Sequence, residues 1–296
     1  MSFKVFGRPP TPPPNPPFPP PRLPSPFHII DPSFPEPLVP EDLPEDEPWP
    51  PVPPDVESST LDLETPMLAA SMSGMIYRIK GQPSKIFKFR GDFREYQFQK
   101  AAGDCAIPVH GKVLQKTKCD KIFFHGFIMD LATPMATPGA VPPSQRRTVM
   151  HQMIGIVEQL HSKGIIHGDV KLDNMLLDHD GQVRLCDFGE ARYIHEDERL
   201  WEGRTTWAFE SPNRWQRAQE TGREPPPPDI EDDMYGLGLS IWQLYTGEFP
   251  FGEIACDTTE LEEMQKKRET VNVAEVQDPE AREIITGLLR RGGALV

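Results

Sequence analysis

The stretch "IIHGDVKLDNMLLDHDGQVRLCDFGEA", residues 165–191, decides the fold of this chain. Within it, Asp169 follows a turn, Lys171 lies two residues later, and Asn174 lies five residues later. Asp187 comes thirteen residues beyond Asn174 and is followed by Phe and Gly. Acidic, basic and amide side chains at these spacings are typical of a site that handles phosphate groups and a metal ion.

The segment between the two parts of this pattern is a predicted β-hairpin with its turn at Asp178–Gly181. Because a hairpin brings its ends together, we expect Asn174 and Asp187 to face one another. Amide and carboxylate oxygens are hard ligands that suit magnesium carrying phosphates. Asp169 can then accept the proton of an attacking hydroxyl group, and Lys171 can offset charge on a transferred phosphoryl group. Asp and Asn often only decorate turns, but the complete set favours chemistry.

These motifs resemble those of the eukaryotic-type protein kinases. "HGDVKLDN" resembles their catalytic loop, and "CDFG" resembles their magnesium-binding motif. The resemblance implies ATP and Mg²⁺ as cofactors and a protein as substrate. It also implies that Asp169 is the catalytic base, that Lys171 contacts the γ-phosphate, and that magnesium is held by Asn174 and Asp187. A lysine two residues after the base is the serine/threonine-kinase form of this loop.

The same resemblance predicts the residues that bind the ATP phosphates. "IFKF" resembles the strand that carries the ATP-binding lysine, which is then Lys88. Lys85 is the neighbouring alternative, but it lies at the start of the strand, where we expect it to face solvent. The predicted helix "FREYQFQKAA" supplies Glu95 as the ion-pair partner of Lys88. The alternative interpretation of Glu95 is an ordinary surface glutamate.

The adenine side of the site is predicted from "FIMDLA", which resembles the gatekeeper and hinge of the family. Met129 is then the gatekeeper, and Asp130 and Leu131 offer backbone groups to adenine. A methionine at this position is equally compatible with plain core packing, and both interpretations can hold at once.

The phosphate-covering loop departs from the family pattern Gly-x-Gly-x-x-Gly. Its three positions correspond to Ala69, Ser71 and Gly74, so only Gly74 is retained and is predicted to contribute to ATP binding. Ala and Ser permit a less close backbone approach than Gly does. We therefore expect weaker ATP binding or a differently shaped loop.

Two further departures concern regulation and structure. Gly168 stands where the family has an arginine that binds a phosphorylated activation loop. We expect activity that does not depend on activation-loop phosphorylation through this contact. Asn213 stands where the family has a glutamate that pairs with an arginine near the end of the helical lobe. That terminal arginine motif is not evident, which predicts that both partners were lost together.

The segment downstream carries the remaining family features. "TTWAFESPN" resembles the end of the activation segment, with Thr206 in the substrate-docking loop. "DDMYGLG" resembles the start of a large buried helix, where Asp233 is expected to accept backbone N–H groups of the catalytic loop. "QRAQETGREPPPPD", between these motifs, is predicted to be an exposed loop insertion.

Two other functions compete with a protein kinase. Small-molecule phosphotransferases of the aminoglycoside and choline kinase type share His-Gly-Asp, but they lack this activation segment, so Lys171 and "TTWAFESP" favour a protein kinase. A pseudokinase scaffold is suggested by the altered glycine loop and the short C-terminus. Retention of all four chemical residues favours catalysis over a scaffold; they are Lys88, Asp169, Asn174 and Asp187.

Composition separates a tail from a folded unit. Residues 9–54 hold 22 of the 36 prolines, which favours an extended, disordered segment. The net charge of −14 comes mostly from eleven acids between residues 23 and 77, and the rest of the chain has 31 basic and 34 acidic residues. No basic surface for nucleic acid is therefore indicated. The PxxP repeats of the tail allow docking partners, although a solvated leader is the favoured interpretation.

Cellular location is inferred from what the sequence lacks. The four cysteines have no CxxC spacing, no apolar run reaches membrane-span length, and the N-terminus has no signal-peptide core. We expect no membrane association and an intracellular protein, cytoplasmic and/or nuclear. We also expect a monomer.

The predicted fold class is α+β, a bilobal protein-kinase-like fold preceded by a disordered, proline-rich acidic tail. We assign residues 1–65 to the tail, 66–131 to a small β-rich N-lobe, and 132–291 to a larger helical C-lobe. A cleft is expected where the lobes join, near residues 129–132.

Overall fold

A computed structural model describes residues 55–71, 74–116, 121–198, 203, 206–222, 225–256 and 258–296. The predicted disordered tail covers residues 1–65, of which residues 1–54 lie outside the described residues. The folded N-lobe, however, already includes Val56–Glu57, which pairs in parallel with a strand at Val109–Lys116. The predicted end of the tail at residue 65 is therefore too late, because two residues of this segment extend the N-lobe sheet.

The N-lobe contains one sheet and one helix in the part of the chain that the structure describes. The strands are β1 (Val56–Glu57), β2 (Ala69–Ser71), β3 (Gly74–Ile79), β4 (Gln82–Phe89), β5 (Val109–Lys116) and β6 (Ile122–Asp130), and the helix is α1 (Phe93–Ala102). Their order in the sheet is β1-β5-β6-β4-β3-β2. All neighbours except β1 and β5 are antiparallel, as expected for strands joined by short turns.

Helix α1 begins where the sequence predicts it. The Asp92 carboxylate accepts a hydrogen bond from the Arg94 N–H group at 2.9 Å, which satisfies one of the unpaired donors of the first turn. The helix continues through residues without Gly or Pro and ends at Gly103, which has a positive φ. This cap fixes the position of the helix next to the edge of the cleft.

The C-lobe combines short strands with long helices. Its elements are β7 (Thr133–Pro134), α2 (Arg146–Ser162), β8 (Ile165–Ile166), β9 (Met175–Leu177), β10 (Val183–Leu185), β11 (Arg192–Tyr193), α3 (Pro212–Thr221), α4 (Ile230–Thr246), α5 (Thr258–Lys266) and α6 (Pro279–Arg291). A 3₁₀ turn at Pro143–Gln145 precedes helix α2. The apolar face of α2 is buried, and α4 is buried along most of its length. The α+β bilobal fold is confirmed.

The prediction that "QRAQETGREPPPPD" is an exposed loop is wrong about the loop in its first part and about the exposure in its last part. Its first part belongs to α3, which Ser211 caps and which starts with Pro212 at a position where a missing N–H costs nothing. Its last part is buried at Pro226–Pro228. There, three arginine side chains donate to the proline carbonyls: Arg214 to Pro226, Arg217 to Pro227 and Arg192 to Pro228.

No helix in the described part of the chain is long and apolar enough to cross a membrane.

Candidate active site

The lysine of β4 forms the centre of the N-lobe side of the site. Lys88 is 4 % exposed, and its ammonium donates to Glu95 Oε1 at 2.5 Å and to Asp187 Oδ1 at 3.0 Å. The prediction that Glu95 is the ion-pair partner agrees with this geometry, and the surface alternative for Glu95 does not, since Glu95 is 1 % exposed. One cation therefore joins the sheet, helix α1 and the segment after β10.

The electrostatics of this triad follow from its burial. Burial alone lowers the pKa of Lys88, but the charges of Glu95 and Asp187 outweigh it and raise that pKa, so the ammonium stays charged. Burial raises the pKa of Glu95 to about 7 and outweighs the opposing attraction of Lys88. Lys88 thus favours the ionised form of Glu95, whose pKa lies close to neutral pH.

Gly74 lies directly over the lysine side chain. Its φ is 144°, and a Cβ there would lie 2.6 Å from the Phe89 carbonyl oxygen and 3.4 Å from Lys88 Cε. Only glycine therefore lets β3 approach this part of β4. The other two loop positions, Ala69 and Ser71, lie in β2, which pairs with the beginning of β3, and Ala69 is exposed. The tip between β2 and β3 lies outside the described residues.

The hinge residues are placed at the end of β6, as predicted, but two of their donors are already used. Met129 is 5 % exposed and packs in an apolar cluster with Ile86 and Tyr96, so the core interpretation holds for it. The Asp130 N–H donates to Pro108 O at 3.1 Å, and the Leu131 N–H donates to Ser84 O at 2.8 Å. These two residues can offer adenine only carbonyl groups.

Of the backbone groups predicted for Asp130 and Leu131, only the carbonyl oxygens are therefore left, because both N–H groups are bonded within the N-lobe.

The catalytic loop gathers a hydrogen-bonded set around Asp169. Lys171 Nζ donates to Asp169 Oδ2 at 2.6 Å, and the Thr206 hydroxyl donates to Asp169 Oδ1 at 2.7 Å. Asn174 Nδ2 donates to the main-chain oxygen of Asp169 at 2.9 Å and to its Oδ2 at 3.0 Å. The structure therefore brings together the residues that the spacing singled out. It adds Thr206 to them, whose hydroxyl also accepts from Lys171 at 2.9 Å.

The predicted hairpin between the two parts of the motif is confirmed. Strands β9 and β10 pair antiparallel, and the turn closes with the Gly181 N–H donating to Asp178 O at 3.0 Å. At the open end, the Cys186 N–H donates to Asn174 O at 3.0 Å. This bond places Asn174 beside the residue that precedes Asp187, so both side chains lie at the same end of the hairpin.

Helix α4 fixes the shape of the catalytic loop through Asp233. The buried carboxylate of Asp233 accepts the backbone N–H groups of His167 and Gly168 at 2.8 Å each, as predicted. It also lies 2.8 Å from His161 Nε2 at the end of α2. Sequence reasoning missed His161, because its partner lies 72 positions away and no local pattern connects them.

Gly168 has a packing role that the sequence did not reveal. Its φ is 79°, a left-handed conformation that glycine adopts without strain. A Cβ there would overlap the Glu190 carbonyl oxygen and would lie 2.9 Å from Pro228 Cγ. A side chain at this position would therefore overlap the buried proline segment, which agrees with the absence of the family's arginine.

Asn213 has an arginine partner that the sequence did not reveal, and it is not the terminal arginine motif of the family. Arg268 Nη1 donates to Asn213 Oδ1 at 3.1 Å and to Gly293 O at 3.0 Å. Asn213 Nδ2 also donates to Arg291 O at 3.3 Å. The partner comes from the end of α5 instead of the terminal motif, so an amide–guanidinium contact now joins α3 to the C-terminal segment.

Comparison with known proteins decides the family. The family model described as the protein kinase domain matches residues 120–292, which include the last strand of the N-lobe and the described C-lobe. The chain belongs to the protein kinase family. Its kinase domain carries Asp169 in the catalytic loop and Asp187 after the hairpin, which agrees with the motifs.

Similar proteins are serine/threonine and dual-specificity kinases. The chain is 34 % identical over 146 residues to the serine/threonine-protein kinase ROP17 of Toxoplasma gondii, covering 47 % of this chain and 24 % of that protein. It is 33 % identical over 119 residues to human dual specificity mitogen-activated protein kinase kinase 7, covering 39 % and 28 %. It is 30 % identical over 132 residues to serine/threonine-protein kinase RUNKEL of Arabidopsis thaliana, covering 45 % and 9 %. The chain thus matches about a quarter or less of the length of these three relatives.

Proposed function

We propose that this kinase domain transfers the γ-phosphate of ATP to serine or threonine hydroxyl groups of proteins, with magnesium. The family supports protein kinase activity, and two of the relatives above are serine/threonine kinases by name. The observation that carries the proposal is the buried contact of Lys88 with both Glu95 and Asp187. This contact aligns the predicted phosphate-binding lysine with the predicted magnesium ligand.

The energetics of this triad favour catalysis over a pseudokinase scaffold. Taking charged groups out of water costs several kcal/mol per ion, and apolar residues of similar volume often serve stability equally well. A fold that needed only stability would have no reason to keep an ammonium between Glu95 and Asp187 at 4 % exposure. Perturbed ionisable groups in a cleft are typical of functional sites.

Asp169 is proposed as the base that accepts the proton of the substrate hydroxyl. Its Oδ1 already accepts a hydroxyl hydrogen bond from Thr206 at 2.7 Å, so the carboxylate is oriented towards hydroxyl donors. Lys171, at 2.6 Å from Oδ2, holds the carboxylate in place and is available to offset charge on the transferred phosphoryl group.

Asn174 and Asp187 fit a magnesium ion. The Asn174 amide nitrogen faces Asp169 through two hydrogen bonds, which leaves its carbonyl oxygen pointing the other way. Asp187 Oδ1 contacts Lys88, and the carboxylate is partly exposed to the cleft. One amide oxygen and one carboxylate are the hard donors that Mg²⁺ takes when it is held together with ATP phosphates. When bound, the ion offsets the negative charge of those phosphates.

A protein substrate is favoured over a small molecule by the segment that follows Thr206. Residues Ala208 and Phe209 are buried in the C-lobe, and the Ser211 hydroxyl donates to Asp232 at 2.5 Å. This packing fixes the backbone of residues 206–211 beside Asp169, and an extended peptide can lie against it. Docking by the proline-rich tail, the monomeric state and the intracellular location stay predictions.

The test is phosphate transfer from radiolabelled ATP with magnesium to a panel of proteins and of amino-alcohol acceptors. The wild-type chain is expected to label proteins, and Asp169→Asn is expected to label none. Asp180→Asn, which removes an exposed carboxylate at the hairpin tip, is the matched control and is expected to retain activity. Transfer to amino alcohols alone would refute the protein substrate. ATP binding without transfer would support the scaffold.

A further inference from the structure

Helix α1 is tied to the segment after β11 by an ion pair that neither the motifs nor the proposed chemistry require. Arg94 Nη2 donates to both carboxylate oxygens of Glu196 at 2.7 Å, and it also reaches Ala191 O at 3.3 Å. Arg94 is adjacent in sequence to Glu95, the partner of Lys88. A force on Arg94 therefore acts directly on the helical turn that places Glu95.

Glu196 is fixed from the C-lobe side as well. Its side chain, 13 % exposed, accepts a hydrogen bond from the Tyr193 N–H group at 3.1 Å. Its main-chain oxygen accepts from Arg192 Nη2 at 2.8 Å, and Arg192 Nη1 donates to Pro228 O at 3.0 Å. Arg192 is itself 4 % exposed, so this anchor is part of the C-lobe interior.

Aromatic packing supports the same contact. The Arg94 guanidinium lies over the Phe98 ring, 4.9 Å from its centroid. The Phe98 ring lies 4.8 Å from the Tyr193 ring, centroid to centroid. A guanidinium over an aromatic face is favourable and limits the positions that the long side chain can adopt. The pair is therefore oriented on both sides and is more than a loose surface contact.

We propose that Glu196 is a positioning residue that holds helix α1 against the C-lobe in the unmodified chain. We name the set Arg94, Arg192 and Glu196 the Glu196 clamp. In kinases regulated through the activation segment, a phosphate supplies the anion that orders such contacts. Here a carboxylate encoded in the chain supplies it, so the Lys88–Glu95 pair forms without covalent modification. The effect of the Glu196 clamp on activity rests on the proposed kinase function, whereas its effect on the position of α1 does not.

The first readout is hydrogen exchange of the α1 backbone, residues 93–102, followed by mass spectrometry. Glu196→Gln keeps the shape and removes the charge, and we expect α1 exchange to rise about threefold to tenfold, since charge-assisted hydrogen bonds are about twice as strong as neutral ones. Arg94→Lys keeps a cation within reach and is expected to retain most of the protection, whereas Arg94→Gln is expected to lose it. Unchanged exchange in α4 shows that the C-lobe remains folded.

The matched control is Glu231→Gln, which removes the charge of another arginine–glutamate pair, formed with Arg291 between two C-lobe helices. It is expected to leave α1 exchange unchanged. The double variant Arg94→Gln/Glu196→Gln is expected to exchange no faster than the faster single variant, because both changes remove the same contact. Equal α1 exchange in Glu196→Gln and Glu231→Gln would overturn the proposal.

The second readout is activity. Glu196→Gln is expected to lower kcat and raise the KM for ATP, both by about the same threefold to tenfold factor. The KM for the protein substrate is expected to stay unchanged. Phosphatase treatment of the wild-type chain is expected to change neither activity nor α1 exchange, and a large loss of either on treatment would refute an unmodified clamp. If the wild type transfers no phosphate, the exchange data still decide the clamp. If the wild type transfers phosphate but α1 exchange is equal in Glu196→Gln and wild type, the clamp is refuted and the proposed function is unaffected.

Discussion

Replacing Gly168 tests why the residue before Asp169 is a glycine. Gly168 has a φ of 79°, is buried, and has the Glu190 carbonyl oxygen and Pro228 against the side where a Cβ would stand. Gly168→Ala introduces that Cβ and nothing more. Gly168→Arg restores the residue that the family pattern has at this position. Both changes are expected to destabilise the fold, and neither is expected to create dependence on phosphorylation.

The expected magnitude follows from two terms. A left-handed conformation costs a non-glycine residue about 1–2 kcal/mol. Overpacking against backbone that cannot easily move adds about 1–3 kcal/mol. Gly168→Ala is therefore expected to lose roughly 2–5 kcal/mol, which for a domain of this size lowers the thermal midpoint by roughly 5–15 °C. Gly168→Arg is expected to lose at least as much.

The assay is thermal unfolding of each variant, with Gly181→Ala as the matched control. Gly181 has a φ of 72°, but no atom lies within 4 Å of the point where its Cβ would stand, so only the conformational term applies there. We expect Gly168→Ala to be less stable than Gly181→Ala by the overpacking term, about 1–3 kcal/mol. Equal losses in the two variants would refute the packing explanation. A stable Gly168→Arg chain that is activated by phosphate would restore the purely regulatory interpretation.

Three further outcomes are expected. Lys88→Met removes the cation beside Glu95. The raised pKa of Glu95 makes the free energy of unfolding fall as pH rises from about 4.5 to about 7. Urea unfolding of Lys88→Met is expected to show this fall continuing above pH 7. Arg268→Ala removes the contacts to Asn213 and the C-terminal segment and is expected to cost about 1–3 kcal/mol by urea unfolding. Burial raises the pKa of the Cys186 and Cys105 thiols, so both are expected to react with iodoacetamide about tenfold or more slower before unfolding than after it.

Each of these has a result that would contradict it. For Lys88→Met, the slope of stability against pH is compared with wild type, and an identical slope would show that Glu95 does not depend on the lysine charge. For Arg268→Ala, the exposed change Lys266→Ala serves as control, and equal stability of the two variants would remove the role assigned to Arg268. Rapid labelling of Cys186 in the folded chain, measured by peptide mass, would show that its thiol is accessible and ionised.

Local chemistry accounts for the parts of the site that the sequence predicted. The catalytic loop and the hairpin depend on spacing along the chain, because a turn at Asp178–Gly181 between two strands returns the chain towards Asn174. Lys88 and Glu95 were predicted because "IFKF" and "FREYQFQKAA" resemble the corresponding strand and helix of the family, and the fold places the two side chains 2.5 Å apart. The hairpin could be predicted because neighbouring residues create it.

Other features depend on residues that are distant in sequence. The N–H groups of Asp130 and Leu131 are paired with Pro108 and Ser84, so only the carbonyl oxygens are left of the backbone groups that the hinge motif suggested. The arginine partner of Asn213 lies 55 residues away, in a region where no family motif marks it. A motif records which residue types are present, but it does not record which hydrogen bonds the fold has already used.

The sequence by itself identified the kinase fold and the residues that carry the proposed chemistry, because its motifs resemble those of the family, and local spacing determined the hairpin between Asn174 and Asp187. Only the tertiary structure decided what surrounds them. Folding placed Pro228 and Glu190 against Gly168, and it placed Glu196 beside Arg94, 102 residues away. The composition of "QRAQETGREPPPPD" suggested an exposed loop, whereas its proline carbonyls accept hydrogen bonds from Arg217 within the stretch and from Arg192 and Arg214 outside it. Such contacts arise from packing in three dimensions, so no local pattern could predict them.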